Sequence, residues 1–258
     1  MKQFGHVRLE IDGPRAQLTL NRPESRNGMT GRMVRETHEA LTLVAREESV
    51  RVLVLKGEGA SFCPGADLNS VGKPTDDPEE YADAIHFQVP VLLHNMSAVT
   101  IAAVAGPCAG AGFGWACGCD IRVANESAMF NTAFLNVAVA GDMGIPWSLP
   151  RLVGGAKARE LSFFTQKFDV AEAQRIGLVA RVYSDENFDE EVDKLITELL
   201  ERSPTALKFM KAHYVAAESM PMDSYVALET ERHRDIASGE HAREAFAAFV
   251  EKRKPNFD

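Results

Sequence analysis

The stretch Val-Thr-Ile-Ala-Ala-Val-Ala-Gly-Pro-Cys-Ala-Gly-Ala-Gly-Phe-Gly-Trp-Ala-Cys, residues 99–117, decides the fold. Its first half has the composition of a buried strand, and its second half is a loop of small residues that leads into a helix. Because glycines keep side chains out of the way, backbone amides near Ala111 can approach a ligand closely from the start of a helix. Such a turn suits an oxygen that carries negative charge.

A second turn of small residues lies upstream, at Cys-Pro-Gly-Ala-Asp, residues 63–67. It also follows an apolar strand, predicted over residues 51–55, and a short loop. Two amides contributed by two such turns can hold one oxyanion between them. The alternative is that each turn is only a tight connection between a strand and the next element.

Composition and charge restrict the class of protein. The chain has 258 residues and a formal net charge of −9, which argues against nucleic acid as its main partner. No apolar run is long enough to span a bilayer, and the first residues lack a signal-peptide core, so we expect a cytoplasmic protein with no membrane partner. The four cysteines do not have the spacing of metal ligands. We therefore expect buried, reduced thiols and no metal.

The order of the predicted elements indicates an α/β fold. A hairpin over residues 7–20 is followed by a helix over 30–46, and strands and helices then alternate, which favours parallel pairing. A polar segment with two prolines, residues 71–80, is predicted to be a loop. A helix is predicted over residues 82–96, and the chain is mostly helical after Gly154. The α/β body is expected to end near residues 185–200.

Several short motifs, taken together and in this order, resemble the crotonase family, which includes enoyl-CoA hydratases and isomerases. They are Leu-Thr-Leu-Asn-Arg-Pro (18–23), Phe-Cys-Pro-Gly-Ala-Asp-Leu (62–68), Ile-Ala-Ala-Val-Ala-Gly (101–106), Cys-Asp-Ile (119–121), Leu-Pro-Arg-Leu-Val-Gly (149–154) and Phe-Val-Glu-Lys-Arg-Lys (249–254). The resemblance implies a spiral of ββα units over residues 1–197 and a helical trimerisation region over 198–258. It also implies a homotrimer or a dimer of trimers, and a coenzyme A thioester as substrate with no further cofactor.

Carried over by position, the resemblance places the oxyanion hole at the backbone amides of Ala66 and Ala111. Substrate contacts are expected from neighbouring residues of the two turns and from Phe134. These neighbours are Pro64, Asp67, Leu68 and Gly110. Phe249 and Lys252 match positions where the C-terminal helix touches the nucleotide end of coenzyme A, although basic residues there also suit a solvated helix end. Arg26 is a further phosphate contact in this scheme, or else an exposed arginine.

The chain departs from the hydratase pattern at two positions. Hydratases of this family use two glutamates, and this chain has Gly114 and Phe134 in their places. Neither residue transfers a proton, whereas water addition needs a group that activates water and a proton donor. One carboxylate remains nearby, Asp142, at a position that resembles the phenylacetate-pathway ring-epoxide isomerases and some dienoyl-CoA isomerases. The sequence therefore predicts an isomerase that shifts a double bond through an enolate, with Asp142 as the proton shuttle.

Other interpretations stay open at this point. Asp142 also suits a helix cap. The chain can be a hydratase that uses another base, or a homologue that binds acyl-CoA without turning it over. A dehalogenase would use Asp142 as a nucleophile together with a histidine and a tryptophan, but Phe87 and Phe134 occupy those positions.

Overall fold

The computed structural model describes residues 2–69 and 82–257, and the predicted 71–80 loop lies entirely outside the described residues. The chain begins with three antiparallel strands, β1 (Lys2–Gln3), β2 (Val7–Asp12) and β3 (Arg15–Leu20). Gly13 has φ +51°, a conformation that favours glycine and lets the chain reverse between β2 and β3. The hairpin predicted for residues 7–20 is therefore present.

A parallel sheet grows from β3 through four further strands. They are β4 (Val52–Gly57), β5 (Val99–Val104), β7 (Ile121–Asn125) and β10 (Arg181–Tyr183), and the sheet order is β1-β2-β3-β4-β5-β7-β10. Each neighbouring pair from β3 onward is parallel. All six residues of β5 are buried, as expected for a central strand covered on both faces.

A second, smaller sheet stands beside the first. It contains β6 (Pro107–Ala109), β8 (Met129–Asn131) and β9 (Phe168–Asp169), in that spatial order. Two isolated parallel bridges extend this layer, one between Cys63 and Cys108 and one between Met29 and Ala66. The chain thus returns to the second layer after successive strands of the first, which agrees with the predicted spiral of an α/β crotonase fold.

Helices cover both faces of the main sheet. Those of the body are α1 (Gly31–Arg46), α2 (Val89–Asn95), α3 (Gly110–Gly118), α4 (Ile145–Val153), α5 (Gly155–Phe164), α6 (Val170–Arg175) and α7 (Phe188–Leu200). The core on one face includes residues of α1, α2 and α3, and α7 packs on the other face of β4, β5 and β7. Every residue of α3 is buried. Among the described residues, no helix combines the length and apolar character that a membrane crossing requires.

The helix predicted over residues 82–96 is shorter than expected. The segment first forms a 3-10 turn, Ala84–Gln88, and α2 begins only at Val89. Pro90 occupies the first turn of α2, where the missing N–H of proline costs nothing. A proline inside one continuous helix would instead have removed a hydrogen bond.

The C-terminal region consists of α8 (Pro204–Ala217), α9 (Met222–Ala237) and α10 (Glu240–Glu251). Lys211 of α8 fixes this region to the body. Its buried ammonium group lies 2.8 Å from a carboxylate oxygen of Asp120 and donates to the carbonyl oxygens of Leu93 and Ala98. Burial lowers the pKa of Lys211, and Asp120 offsets part of that effect.

Replacing Lys211 by Met is expected to lower the free energy of unfolding by about 2–4 kcal/mol, because it leaves Asp120 without its cation and removes one donor from each of two carbonyls. Urea unfolding followed by circular dichroism measures the change. Lys254→Met is the matched control, since Lys254 pairs with Glu201 at 2.7 Å on the surface. The control should change stability by no more than about 0.5 kcal/mol. Equal effects of the two variants would contradict the anchoring role.

Candidate active site

The two small-residue turns, 63–67 and 106–111, meet through backbone hydrogen bonds. The Cys63 amide donates to the Pro107 carbonyl at 3.1 Å, and the Ala109 amide donates to the Cys63 carbonyl at 2.9 Å. Gly112 allows this contact, because a Cβ on it would lie 2.6 Å from Cys63 Cβ and 2.7 Å from Cys63 Sγ. A side chain at residue 112 would therefore push the two turns apart.

The Ala66 amide is oriented by the pairing of its neighbours with Met29. Met29 donates to the Gly65 carbonyl at 2.8 Å, and the Asp67 amide donates to the Met29 carbonyl at 2.9 Å. Because peptide groups alternate in direction along an extended strand, the Ala66 amide faces away from Met29. Residues 109 and 110 lie next to this turn, since a Cβ on Gly65 would lie 3.1 Å from the Ala109 carbonyl oxygen and 3.6 Å from Gly110 Cα. Among residues 2–69 and 82–257, no oxygen accepts from the Ala66 amide.

The Ala111 amide belongs to the first turn of α3. Helix α3 begins at Gly110, which has φ +50°, and Ala111 is its second residue. Amides in the first turn of a helix lack an intrahelical acceptor and lie at the positive end of the helix dipole. The Ala66 and Ala111 amides are therefore brought into neighbouring turns. Such an arrangement can bind a negatively charged oxygen.

Met143 covers Gly114, one turn further along the same face of α3. A Cβ on Gly114 would lie 2.9 Å from the Met143 carbonyl oxygen and even closer to its Cβ. Met143 is only 4% exposed and has φ +48°, a left-handed conformation. The space that a glutamate would need at residue 114 is thus filled by protein.

Asp142 lies next to Met143 and is half-buried. Its Oδ1 accepts from the Met143 amide at 2.7 Å, and no described residue donates to its Oδ2. Gly144, not Asp142, is the cap residue of α4. One carboxylate oxygen of Asp142 is therefore fixed by the backbone, and the other is available to a ligand.

The candidate cleft consists of the two turns, the start of α3 and the Asp142–Met143 segment that packs on α3, and the remaining predicted residues of the turns lie beside these. Gly110 is buried, and a Cβ on it would lie 3.9 Å from the Thr132 carbonyl oxygen, two residues before Phe134. Phe134 itself is half-buried at the start of a 3-10 turn, Phe134–Val137. Pro64 is half-buried, whereas Leu68 is exposed.

Arg26, Phe249 and Lys252 stand apart from the cleft. Arg26 is exposed on the 22–29 loop, with φ +53°. Phe249, on α10, is 84% exposed, and Lys252 caps the end of that helix. The element that α10 chiefly contacts is α9. Among the described residues, no hydrogen bond joins the end of α10, which carries Phe249 and Lys252, to the two turns.

Two residues beside the 63–67 turn were given no role by the sequence analysis, Arg22 and Asn27. Asn27 is fully buried; its side chain accepts from the Arg22 amide at 2.9 Å and donates to the Ser61 carbonyl at 2.6 Å. Arg22 forms an ion pair with Asp67 at 3.0 Å. Arg22 lies in the 18–23 motif, but the motif does not reveal partners some 40 residues away.

The cysteines and the acidic residues form no metal centre in the part of the chain that the structure describes. All four cysteines are free and buried. Burial raises the pKa of Cys63 to about 12, so its thiol stays protonated at neutral pH.

Comparisons with known proteins agree with this architecture. A family model described as enoyl-CoA hydratase/isomerase matches residues 11–258. The 1,2-epoxyphenylacetyl-CoA isomerase of Escherichia coli is 33% identical over 244 residues, covering 93% of each chain. A protein of Rhodobacter capsulatus named "Probable enoyl-CoA hydratase" is 33% identical over 256 residues, covering 97% of each chain. A Thermobifida fusca structure in complex with acetoacetyl-CoA has a TM-score of 0.83 and 29% identity, covering 90% of this chain and 95% of the other.

Gly114→Ala tests whether Met143 fills the space above α3. Alanine has the higher helix propensity, but its Cβ overlaps Met143, so we expect a loss of about 1–3 kcal/mol in the free energy of unfolding. In a Met143→Gly background, Gly114→Ala should cost less than it does in the wild type, because the Cβ of residue 143 is gone. Denaturant unfolding of the single and double variants measures the coupling. Gly155→Ala in α5 is the control and should be neutral, because its Cβ meets only the flexible end of Arg159. A stabilised Gly114→Ala variant would contradict the contact.

Proposed function

Because the chain belongs to the enoyl-CoA hydratase/isomerase family, we propose that it is an acyl-CoA isomerase that shifts a double bond through an enolate. The family is named for enzymes of both reactions, so the choice depends on the residues of this cleft. The Ala66 and Ala111 amides would hold the thioester oxygen, and Asp142 would move the proton. The observation that supports isomerisation over hydration is the contact between Met143 and Gly114, which fills the space of a second acidic group.

In the proposed reaction, the carboxylate of Asp142 removes a proton from the α-carbon, which lies between the thioester carbonyl and the double bond of a 3-enoyl chain. The electron pair moves onto the carbonyl oxygen, which becomes the enolate oxygen between the Ala66 and Ala111 amides. One such donor contributes about 3–4 kcal/mol in well-studied enzymes. Asp142 then returns the same proton to a different carbon of the acyl chain, and the electrons of the enolate re-form the carbonyl with the double bond displaced. Atoms and electrons balance without another reactant.

The cleft offers little support for hydration. Adding water needs one group that activates water and one that donates a proton on the correct face. Met143 occupies the space beside Gly114, and Phe134 has no proton to transfer. A single carboxylate that takes up and returns one proton is sufficient for isomerisation. A hydratase with another base, and a homologue that only binds acyl-CoA, are the competing functions.

A coenzyme A thioester is the proposed substrate class. The similar Thermobifida fusca structure contains acetoacetyl-CoA, which supports this choice. We further propose that Phe249 and Lys252 serve the nucleotide end of coenzyme A in a neighbouring subunit, because Phe249 is 84% exposed and α10 chiefly contacts α9. Arg26, exposed on the 22–29 loop, would add a phosphate contact.

Asp142→Asn should abolish migration of the double bond, with a loss of about 10²–10⁴-fold in kcat, while acyl-CoA binding is preserved. The asparagine keeps an acceptor for the Met143 amide but cannot take a proton. Chromatography of thioester isomers measures kcat, and isothermal titration measures binding. Asp223→Asn is the matched control, since Asp223 likewise accepts from the amide of the next residue, at 2.9 Å on the surface.

Three outcomes separate the competing functions. Unchanged turnover in Asp142→Asn removes Asp142 from the mechanism. A product heavier by one water, detected by mass spectrometry across a panel of enoyl-CoAs, identifies a hydratase. Tight binding of every acyl-CoA with no conversion identifies a binding protein.

We also propose a homotrimer or a dimer of trimers whose contacts include α10. Phe246, Phe249 and Val250 are 70%, 84% and 79% exposed, which leaves an apolar surface on that helix without cover. Phe249→Asp combined with Val250→Asp should lower the mass measured by light scattering, because a charged side chain is costly in an apolar interface. Glu251→Lys, at the same helix end, changes charge without removing apolar area and should leave the mass unchanged. A monomeric wild-type chain would contradict the assembly.

A further inference from the structure

We propose that Arg22 and Asp67 are positioning residues that hold the Ala66 amide in place. The proposal rests on the proposed function and gives both residues a role that the sequence motifs did not assign: Arg22 had none, and Asp67 was expected to contact the substrate. Arg22 holds the segment 28–29, and Asp67 belongs to the segment 66–67. The pair thereby keeps Ala66 beside Met29 while charge develops on the substrate oxygen.

The Arg22 guanidinium joins the two segments on both sides of the Met29–Ala66 pair. Its Nη1 donates to the Gly28 carbonyl at 2.5 Å, and its Nη2 donates to Asp67 Oδ2 at 3.0 Å. Gly28 precedes Met29, and Asp67 follows Ala66. The guanidinium is a rigid, planar donor, so these two bonds set the spacing between the segments.

Burial makes this ion pair stronger than a surface pair. The Arg22 and Asp67 side chains are 15% and 10% exposed, respectively. A charge that loses its partner in such a site keeps the cost of desolvation, so both segments are held against separation. The segments are also tightly packed, because a Cβ on Gly28 would lie 3.2 Å from Asp67 Cβ.

The Ala66 amide depends on this support more than the Ala111 amide does. Ala111 is buried and lies within α3, whose hydrogen bonds fix its orientation. Ala66 is exposed and belongs to a single isolated bridge, and Leu68 and Asn69 after it are exposed too. A shift of about 1 Å in a positioned catalytic group can cost about 10²-fold in rate.

The base of the Arg22 side chain is fixed as well. The Arg22 amide donates to Asn27 Oδ1 at 2.9 Å, and Asn27 in turn donates to the carbonyls of Ser61 and Glu58. Contact of Arg22 with a phosphate of coenzyme A is the competing role. Asp67 neutralises the guanidinium and would repel a phosphate, which favours the positioning role.

We expect Arg22→Met and Asp67→Asn to lower kcat about 10–100-fold and to leave the affinity for free coenzyme A within about threefold of wild type. Carbonyl-labelled ¹³C butanoyl-CoA, a saturated thioester with no double bond to shift, reports on the oxyanion donors directly. The carbonyl stretching frequency of the bound thioester should be lower than that of the free thioester in the wild type. This red shift should be smaller in both variants. Thermal melts of the variants check that they fold.

Arg15→Met is the control, because Arg15 forms an Arg–Asp pair with Asp193 at 2.6 Å at the opposite end of β3. It should leave the carbonyl shift unchanged. If Arg22→Met does not fold, the carbonyl shift is measured on Asp67→Asn alone, because that substitution is nearly isosteric.

The outcomes distinguish this proposal from the function on which it rests. If butanoyl-CoA does not bind the wild type, or binds with no carbonyl shift, the proposed function fails and the positioning role fails with it. If the wild type shows the shift and both variants keep it in full, only the positioning role is overturned. Loss of coenzyme A affinity with an unchanged carbonyl shift would assign Arg22 to the nucleotide instead.

Discussion

The close approach of two backbone segments, at Cys63 and Cys108, is the constraint on which the cleft depends. Two hydrogen bonds join them, and Gly112 removes the side chain that would otherwise separate them. The strands that lead into these segments are neighbours in the parallel sheet, so both arrive at the same edge. The position of Ala66 relative to Ala111 is therefore a consequence of the register between β4 and β5.

The two candidate amide donors owe their directions to different kinds of structure. Ala111 inherits its direction from a fully buried helix, whereas Ala66 takes its direction from a strand pairing that is one residue wide. The carboxylate of Asp142 is held in a third way, by a turn. Asp142 is held by the amide of the next residue in a turn with left-handed residues, and the fixed shape of that turn leaves one carboxylate oxygen open. Local backbone geometry, rather than side-chain networks, sets most of this cleft.

Much of the fold could be predicted because its signals are local. The alternation of residues 7–20 gave the hairpin, and the apolar stretch before Gly106 gave the central strand. Pro90 was visible, but its effect on the start of α2 depends on how the 3-10 turn before it packs, which periodicity does not report. The candidate amide donors could be predicted from motifs, because a turn of small residues is itself what exposes a backbone amide to a ligand. The Arg22–Asp67 pair and the contact of Met143 with Gly114 could not be predicted, because they join residues 45 and 29 positions apart through the tertiary fold.

The packing of Met143 on α3 limits how this scaffold can change its chemistry over evolutionary time. A glutamate at residue 114, the first step toward a two-carboxylate centre, would meet Met143 and disturb the turn that carries Asp142. Loss of the methionine side chain first would leave a cavity beside the helix. Either order passes through an impaired intermediate, so the two substitutions have to arise together or be preceded by compensating changes. Met143 therefore opposes the gain of a second carboxylate at residue 114, even though no strand or helix of the fold would have to change.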